Sequence, residues 1–209
     1  KQLSELHYEW IQFVLREILE YDDDCLTLNN TLDVPYYVTS PDQTGNFVPD
    51  LIIHGVEDRK PRLFISVQSP DTEFESVQNN DGWVASLVDR MTVLCRANDV
   101  RLGIITNGER WMLVNAPIGE TSSYVSWYAR LWIQEPITLK AFQSLLGIRR
   151  CFGPSDETLE ALLEESLDYQ NDVTDTLGEQ VRRAVEVLVQ ALDKADEDRN
   201  RELLADVTP

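Results

Sequence analysis

The chain has 209 residues, is 43% hydrophobic, and carries 37 Asp and Glu against 18 Lys and Arg, a formal net charge of −19. That length supports one substantial core, or a domain with a helical appendage, and the composition is that of a folded chain, not a disordered one. No apolar run approaches the ~18 residues that cross a bilayer, and the start lacks a basic-then-apolar leader, so a cytoplasmic location without membrane contact is expected.

The three cysteines, Cys25, Cys95 and Cys151, are odd in number and scattered, which argues against a disulfide framework and a thiolate zinc site. Free thiols in a reducing compartment are expected instead. His7 and His54 are the only histidines, too few for a histidine-centred metal site. The charge is uneven. Residues 1–150 have a net charge of −8 and residues 151–209 a net charge of −11, so the last 59 residues carry more than half of it. Neither part is a basic platform for phosphate.

In chain order, Ser4–Tyr21 reads as an amphipathic helix capped by Ser4, with Leu6, Trp10, Phe13, Val14, Ile18 and Tyr21 at helical spacing. The Asp22-Asp23-Asp24 run ends it. Adjacent residues share no helix face, so a solvated terminus is favoured over a metal cluster. Val34–Thr39, Phe47–His54 and Arg62–Ser69 are β-rich runs separated by turn chemistry at 41–45 and 57–61, which predicts consecutive antiparallel strands. Residues 81–98 switch to helical period, with Val84, Leu87, Val88, Met91 and Leu94 on one side. Arg101–Thr106 and Arg110–Asn115 read as strands joined at Asn107-Gly108, and Val125–Ile133 as a further strand. Beyond them come a short helix, Leu139–Leu146, and two acidic helices, 155–170 and 174–198. The last has an apolar stripe of Val181, Ala184, Val185, Leu188, Val189 and Leu192. The whole reads as an α/β (α+β) sheet domain over 1–150 with a helical extension over 151–209.

Chemistry concentrates in 49–68. A Mg²⁺-dependent nuclease places one carboxylate at a strand end, and a second carboxylate and a lysine two residues apart on the next strand, so that all face one way. The acids hold the metal, and the lysine orients water and supports charge on phosphorus. Asp50 fits the first acid; Ser66 and Gln68 occupy the places of the second acid and the lysine. Residues Gly103–Leu113, with the Thr106-Asn107-Gly108 turn, complete a pattern that resembles the PD-(D/E)xK nuclease-like domains at the amino terminus of type I restriction R subunits and of large type IIG-like restriction–modification and phage-defence adenine methyltransferases. Those domains run helix, Pro-Asp strand, Glu-x-Lys strand, helix, then strand–Thr-Asn-Gly–strand; Leu3–Leu113 has that order. Residues Leu177–Val185 resemble the helical connector that leads to the methyltransferase.

The resemblance implies a restriction-endonuclease-like mixed sheet flanked by helices, cut from a larger parent, and DNA contacted through that parent and its other domains or subunits. S-adenosylmethionine would belong to the downstream region alone, since an Asn-Pro-Pro-Tyr type motif is absent here. The departures bear on activity. Ser66 removes a charged metal ligand, and Gln68 can orient water but carries no charge. Asp50 alone would hold Mg²⁺ poorly unless Glu9, Glu17, Asp71, Glu73 or Glu75 substitutes, and each of these reads better as surface charge. Asp58-Arg59-Lys60 also spells Asp-x-Lys, but in a turn before Pro61, where nothing preorganises a site. Trp127, Tyr128 and Trp132, with Tyr124, could stack bases; with only Arg130 beside them, packing is the better reading. Arg149-Arg150 fits a helix end as well as a phosphate contact. Three functions stay open: a nuclease-like module with a degenerate motif that engages DNA or regulates its parent, an acidic protein-interaction or DNA-mimic module, and an active Mg²⁺ endonuclease with a relocated acid.

Overall fold

The computed structural model describes residues 2–43, 45–80 and 82–198, with the side chains of residues 2–4 and 80 outside the description. The Ser4 cap therefore falls outside the described side chains, as do Thr44 of the expected turn and Asp81 at the expected helix start. Two compact units are present, Lys1–Ala161 and Leu162–Pro209.

Helix α1, Gln2–Phe13, runs into a π-helical turn at Val14–Ile18. Leu19 N–H donates to Val14 O at 2.9 Å and Tyr21 N–H to Leu15 O at 3.0 Å. This wide turn inserts an extra residue and rotates the residues beyond it. Ile11, Val14, Leu15, Leu19 and Tyr21 are buried, while Leu6 and Phe13 of the expected stripe are exposed and Trp10 is partly so. Helical geometry ends at Ile18, before Tyr21, and Glu20 takes a left-handed φ of 62°.

The next elements are the strands β1 (Leu26–Leu28), β2 (Val38–Thr39), β3 (Asn46–Phe47), β4 (Leu51–His54), β5 (Pro61–Val67), β6 (Gln78–Asn80) and β7 (Trp83–Ala85). Helix α2 is Leu87–Ala97, and after it come β8 (Leu102–Thr106), β9 (Arg110–Asn115) and β10 (Ser123–Tyr128). The helices α3 (Pro136–Leu146), α4 (Ile148–Phe152) and α5 (Leu159–Asp198) complete the described chain. A six-stranded sheet has the order β1-β4-β5-β8-β9-β10, and β2-β3 and β6-β7 are separate two-stranded ribbons. Within the large sheet β5 and β8 are parallel and every other pair is antiparallel. The parallel pair needs a crossover, and α2 supplies it.

Several boundaries differ from the sequence reading for identifiable reasons. The expected strand Phe47–His54 divides around Pro49, and Val34–Thr39 shrinks to two residues after Pro35, because proline has no N–H for a ladder. Within the 81–98 segment Trp83–Ala85 is strand, and the helix starts only at Leu87. Ser86 caps it by accepting from Asp89 N–H, and Asp89 accepts in return from Ser86 N–H, a capping box. Val84 consequently lies outside the helix and is exposed. The aromatic strand ends at Tyr128, where a 3₁₀ turn at Ala129–Leu131 takes over. Pro136 at the first turn starts α3 three residues early. The two acidic helices are one continuous α5.

The sheet's two faces are divided by strand alternation. Ile52, Phe64, Ile105, Met112 and Val114 join Leu87, Val88, Met91, Leu94 and Cys95 of α2, with Phe74 and Trp83, in one core. Gly103 is required there: a Cβ at that position would lie 2.6 Å from Met91 and 3.1 Å from Cys95 Sγ. On the opposite face Trp111 meets Phe142 of α3 with ring centroids 5.6 Å apart. The buried Tyr21 hydroxyl donates to Leu146 O at 2.7 Å and ties the end of the first helix to α3. In the second unit, the α5 positions 162–198 carry exposed Val181, Val185, Leu188 and Leu192. Among the described residues no helix is long and apolar enough to cross a membrane.

Candidate functional site

The ladder between β4 and β5 sets the site. Leu51 pairs with Ile65, so Asp50 stands across from Ser66 at the end of the antiparallel pair. Asp50 N–H donates to Ile65 O at 2.8 Å, and Asn29 N–H donates to Asp50 O at 3.0 Å, which fixes the Asp50 backbone on both sides. Gln68 N–H then donates to Thr106 O at 2.7 Å, extending the β5-β8 pairing past the strand end. Alternation puts Asp50, Ser66 and Gln68 on the same face as Ile52 and Phe64, the α2 side.

Their side chains gather on this face. Gln68 Nε2 donates to Ser66 Oγ at 2.8 Å. The Ser66 hydroxyl serves the Asp50 carboxylate, whose Oδ2 also accepts Val67 N–H at 2.7 Å. Ser66 is 2% exposed, so its hydroxyl cannot turn to water instead. Asp50 is exposed as a residue, but its carboxyl is turned inward against β5. Burial raises the Asp50 carboxyl above its ordinary range, and the Val67 and Ser66 hydrogen bonds pull it back only in part.

A divalent metal does not fit these donors. Mg²⁺ needs several oxygen ligands with charge to balance it. Here one carboxylate, one neutral hydroxyl and one amide converge, and the two neutral groups are already bonded to each other. Among the described residues no three His, Cys, Asp or Glu side chains gather as a metal site. The candidate substitutes do not fill the gap. Glu9, Glu17, Asp71 and Glu73 are exposed. Glu75 is bound in a two-pronged ion pair by Arg110, whose Nη1 donates to Glu75 Oε2 at 2.7 Å. That arginine holds the Glu75 carboxyl below its usual range.

The remaining sequence candidates resolve into structural roles. Asp58 accepts Lys60 N–H at 3.1 Å and lies 3.7 Å from Arg62, which makes Asp58-Arg59-Lys60 a self-bonded turn. Trp127 and Trp132 are buried, and both contact the Phe142 ring, at 5.6 and 4.9 Å. Tyr128 lies under the Arg110 and Arg130 guanidinium groups, at 5.6 and 4.9 Å, while Tyr124 is exposed. Arg150 donates to Ser144 O and Glu157 O and is spent on joining α4 to its neighbours. The cysteines are free and buried; burial pushes the Cys95 thiol up to about 12 and Cys151 to about 11, so neither is a thiolate nucleophile at neutral pH. Cys25 is raised too, chiefly by burial.

At the Thr106-Asn107-Gly108 turn, Asn107 Oδ1 accepts the N–H groups of Glu109 and Arg110, at 3.2 and 2.7 Å. His7 Nε2 lies 2.7 Å from Asn107 O, and Trp10 Nε1 donates to Gly108 O at 2.8 Å, so α1 is clipped to the turn. Gly108 has φ +82°, and a Cβ there would meet His7 at 3.0 Å. Sequence reasoning missed the Arg110–Glu75 pair and the Val67 N–H that orients Asp50. The first joins residues 35 apart and the second uses main chain; neither leaves a motif. No protein-family model matches the chain, and no curated protein matches it in sequence.

Proposed function

We propose that the first unit is a nuclease-like module of a DNA restriction–modification or phage-defence methyltransferase that has exchanged its cutting site for a structural one and regulates or docks its parent. The carrying observation is the placement of Asp50, Ser66 and Gln68: the three positions that would form a PD-(D/E)xK site come together on one sheet face, with Gln68 bonded to Ser66 and the Asp50 carboxylate bonded to Val67 N–H. The element order supports a restriction-endonuclease-like reading: helix, antiparallel β4-β5 with Asp50 at its start, crossover helix α2, then β8, the Thr106-Asn107-Gly108 turn and β9.

Between holding DNA and acting on protein, the net charge of −19 and the ion pairing of four arginines favour protein. Arg16 is paired with Asp23, Arg62 with Asp58, Arg110 with Glu75 and Arg130 with Glu109. Cations already neutralised have little to offer a phosphate backbone. DNA would then be contacted by the parent's other domains, with S-adenosylmethionine bound there as well. Titration of a labelled duplex with the full chain tests this. Binding is expected to be absent at about 200 mM salt. Tight binding that persists at that salt would reassign the module to DNA engagement.

A further inference from the structure

Helix α5 repeats small and large apolar residues in a 4-3-4-3-4 spacing: Leu177, Val181, Ala184, Leu188, Ala191 and Ala195. A mean period of 3.5 residues keeps such a row on one seam of a two-helix coil. The seam is uncovered. Leu177 is 58% exposed, Val181 55% and Leu188 61%, with Val185 and Leu192 beside them also exposed. Glu179, Glu186 and Asp193 recur every seven residues on the side of the helix away from the seam. There Glu179 pairs with Arg183 at 2.8 Å and Glu186 with Arg182 at 3.0 Å. Both of these ion pairs lie off the apolar side.

We infer that this seam is a self-association surface, filled by α5 of a second copy running antiparallel about a twofold axis at Glu186. Antiparallel coils set each seam residue across from the one equidistant from the axis. Leu177 then meets Ala195 of the second copy, Val181 meets Ala191, and Ala184 meets Leu188. All six layers match a large residue with a small one, the condition for dense packing. At the flanks Val185 meets its own copy, and Leu192 meets Gly178, which has open space where a Cβ would be. Like charges do not face each other: Val187 meets its own copy, and Gln180 meets Lys194. A parallel pair would instead stack Ala184, Ala191 and Ala195 on themselves and leave three layers underfilled. The seam holds or fails independently of the Asp50 site.

Sedimentation velocity on the full chain, with spin-label distances, tests it. A concentration-dependent dimer is expected. Leu188→Asp, which places a charge in two layers at once, should weaken it ~100-fold or more. Val189→Asp, the same charge one residue along and outside the seam, should leave it unchanged. Spin labels at Glu186→Cys, level with each other on the outer faces of the two helices, should lie nearer together than labels at Asp175→Cys, which should be separated by at least about 33 Å, the rise of 22 helical residues. These labels sit outside the seam and so report even where Leu188→Asp misfolds. A chain that stays monomeric at about 100 μM would overturn the inference. So would equal damage from Val189→Asp, or short distances at both labels.

Discussion

At the residue scale the decisive group is Asp50. Its carboxyl is raised by burial, so between the unfolded value of roughly 3.9 and the higher folded value the native state binds more protons than the unfolded one. Stability contributed by the protonated form is complete below that window and is lost as pH rises through the folded value. Asp50→Asn removes the charge and keeps an oxygen for Val67 N–H. It should leave stability at pH 7 unchanged or higher and flatten the pH dependence in this window, as read by urea unfolding at pH 4 and 7. Asp50→Ala, which strands Val67 N–H, should cost about 1–2 kcal/mol in the same assay. A complementary exchange argues from the same geometry. Ser66→Glu with Gln68→Lys restores the residue types that a nuclease places there, and the variant should gain a Mn²⁺-dependent rise in Tm that the natural chain does not show. The positions themselves were legible, because period-two alternation fixes that residues 66 and 68 share a face. Their mutual hydrogen bonding was not, since a serine and a glutamine two apart spell no motif.

At the element scale, Arg110 locks β9 to the segment before β6. It grips Glu75 with two N–H groups and spreads over the Phe74 ring at 5.2 Å. Arg110→Ala should cost about 1.5–3 kcal/mol by chemical denaturation, and Arg110→Lys should recover only part, because an ammonium cannot make the two-pronged contact. Glu75 is held below its usual range, so this stabilisation is complete above the unfolded carboxylate value of roughly 4.3 and is lost as pH falls through the folded one. The variant should therefore lose less stability on acidification than the natural chain. Elements with a chemical signal were readable: β8 and β9 from apolar runs around Asn107-Gly108, and the body of α2 from its periodicity. Others were not. β1 is three residues, Leu26–Leu28, with no alternation to detect, and its place at the sheet edge comes only from pairing with β4. The π-helical turn at Val14–Ile18, which breaks the register from α1 to Tyr21, is another feature that a 3.6-residue template cannot register.

At the scale of the whole molecule, charge and fold have to be read together. A net charge of −19 fits poorly with a module that grips DNA by itself, and four arginines of the first unit, Arg16, Arg62, Arg110 and Arg130, stand in internal ion pairs. The same unit sets Asp50, Ser66 and Gln68 on one face of a mixed six-stranded sheet. The element order carried most of this into the sequence reading. The continuity of α5 was lost there, because the polar Asn171-Asp172 pair resembles a break between two helices. Incubation of supercoiled plasmid with the full chain in Mg²⁺ and in Mn²⁺, beside Asp50→Ala, is the most direct test of the claim that the site is structural. The expected result is intact plasmid with both proteins in both metals. Metal-dependent nicking or cutting that disappears in Asp50→Ala would contradict it.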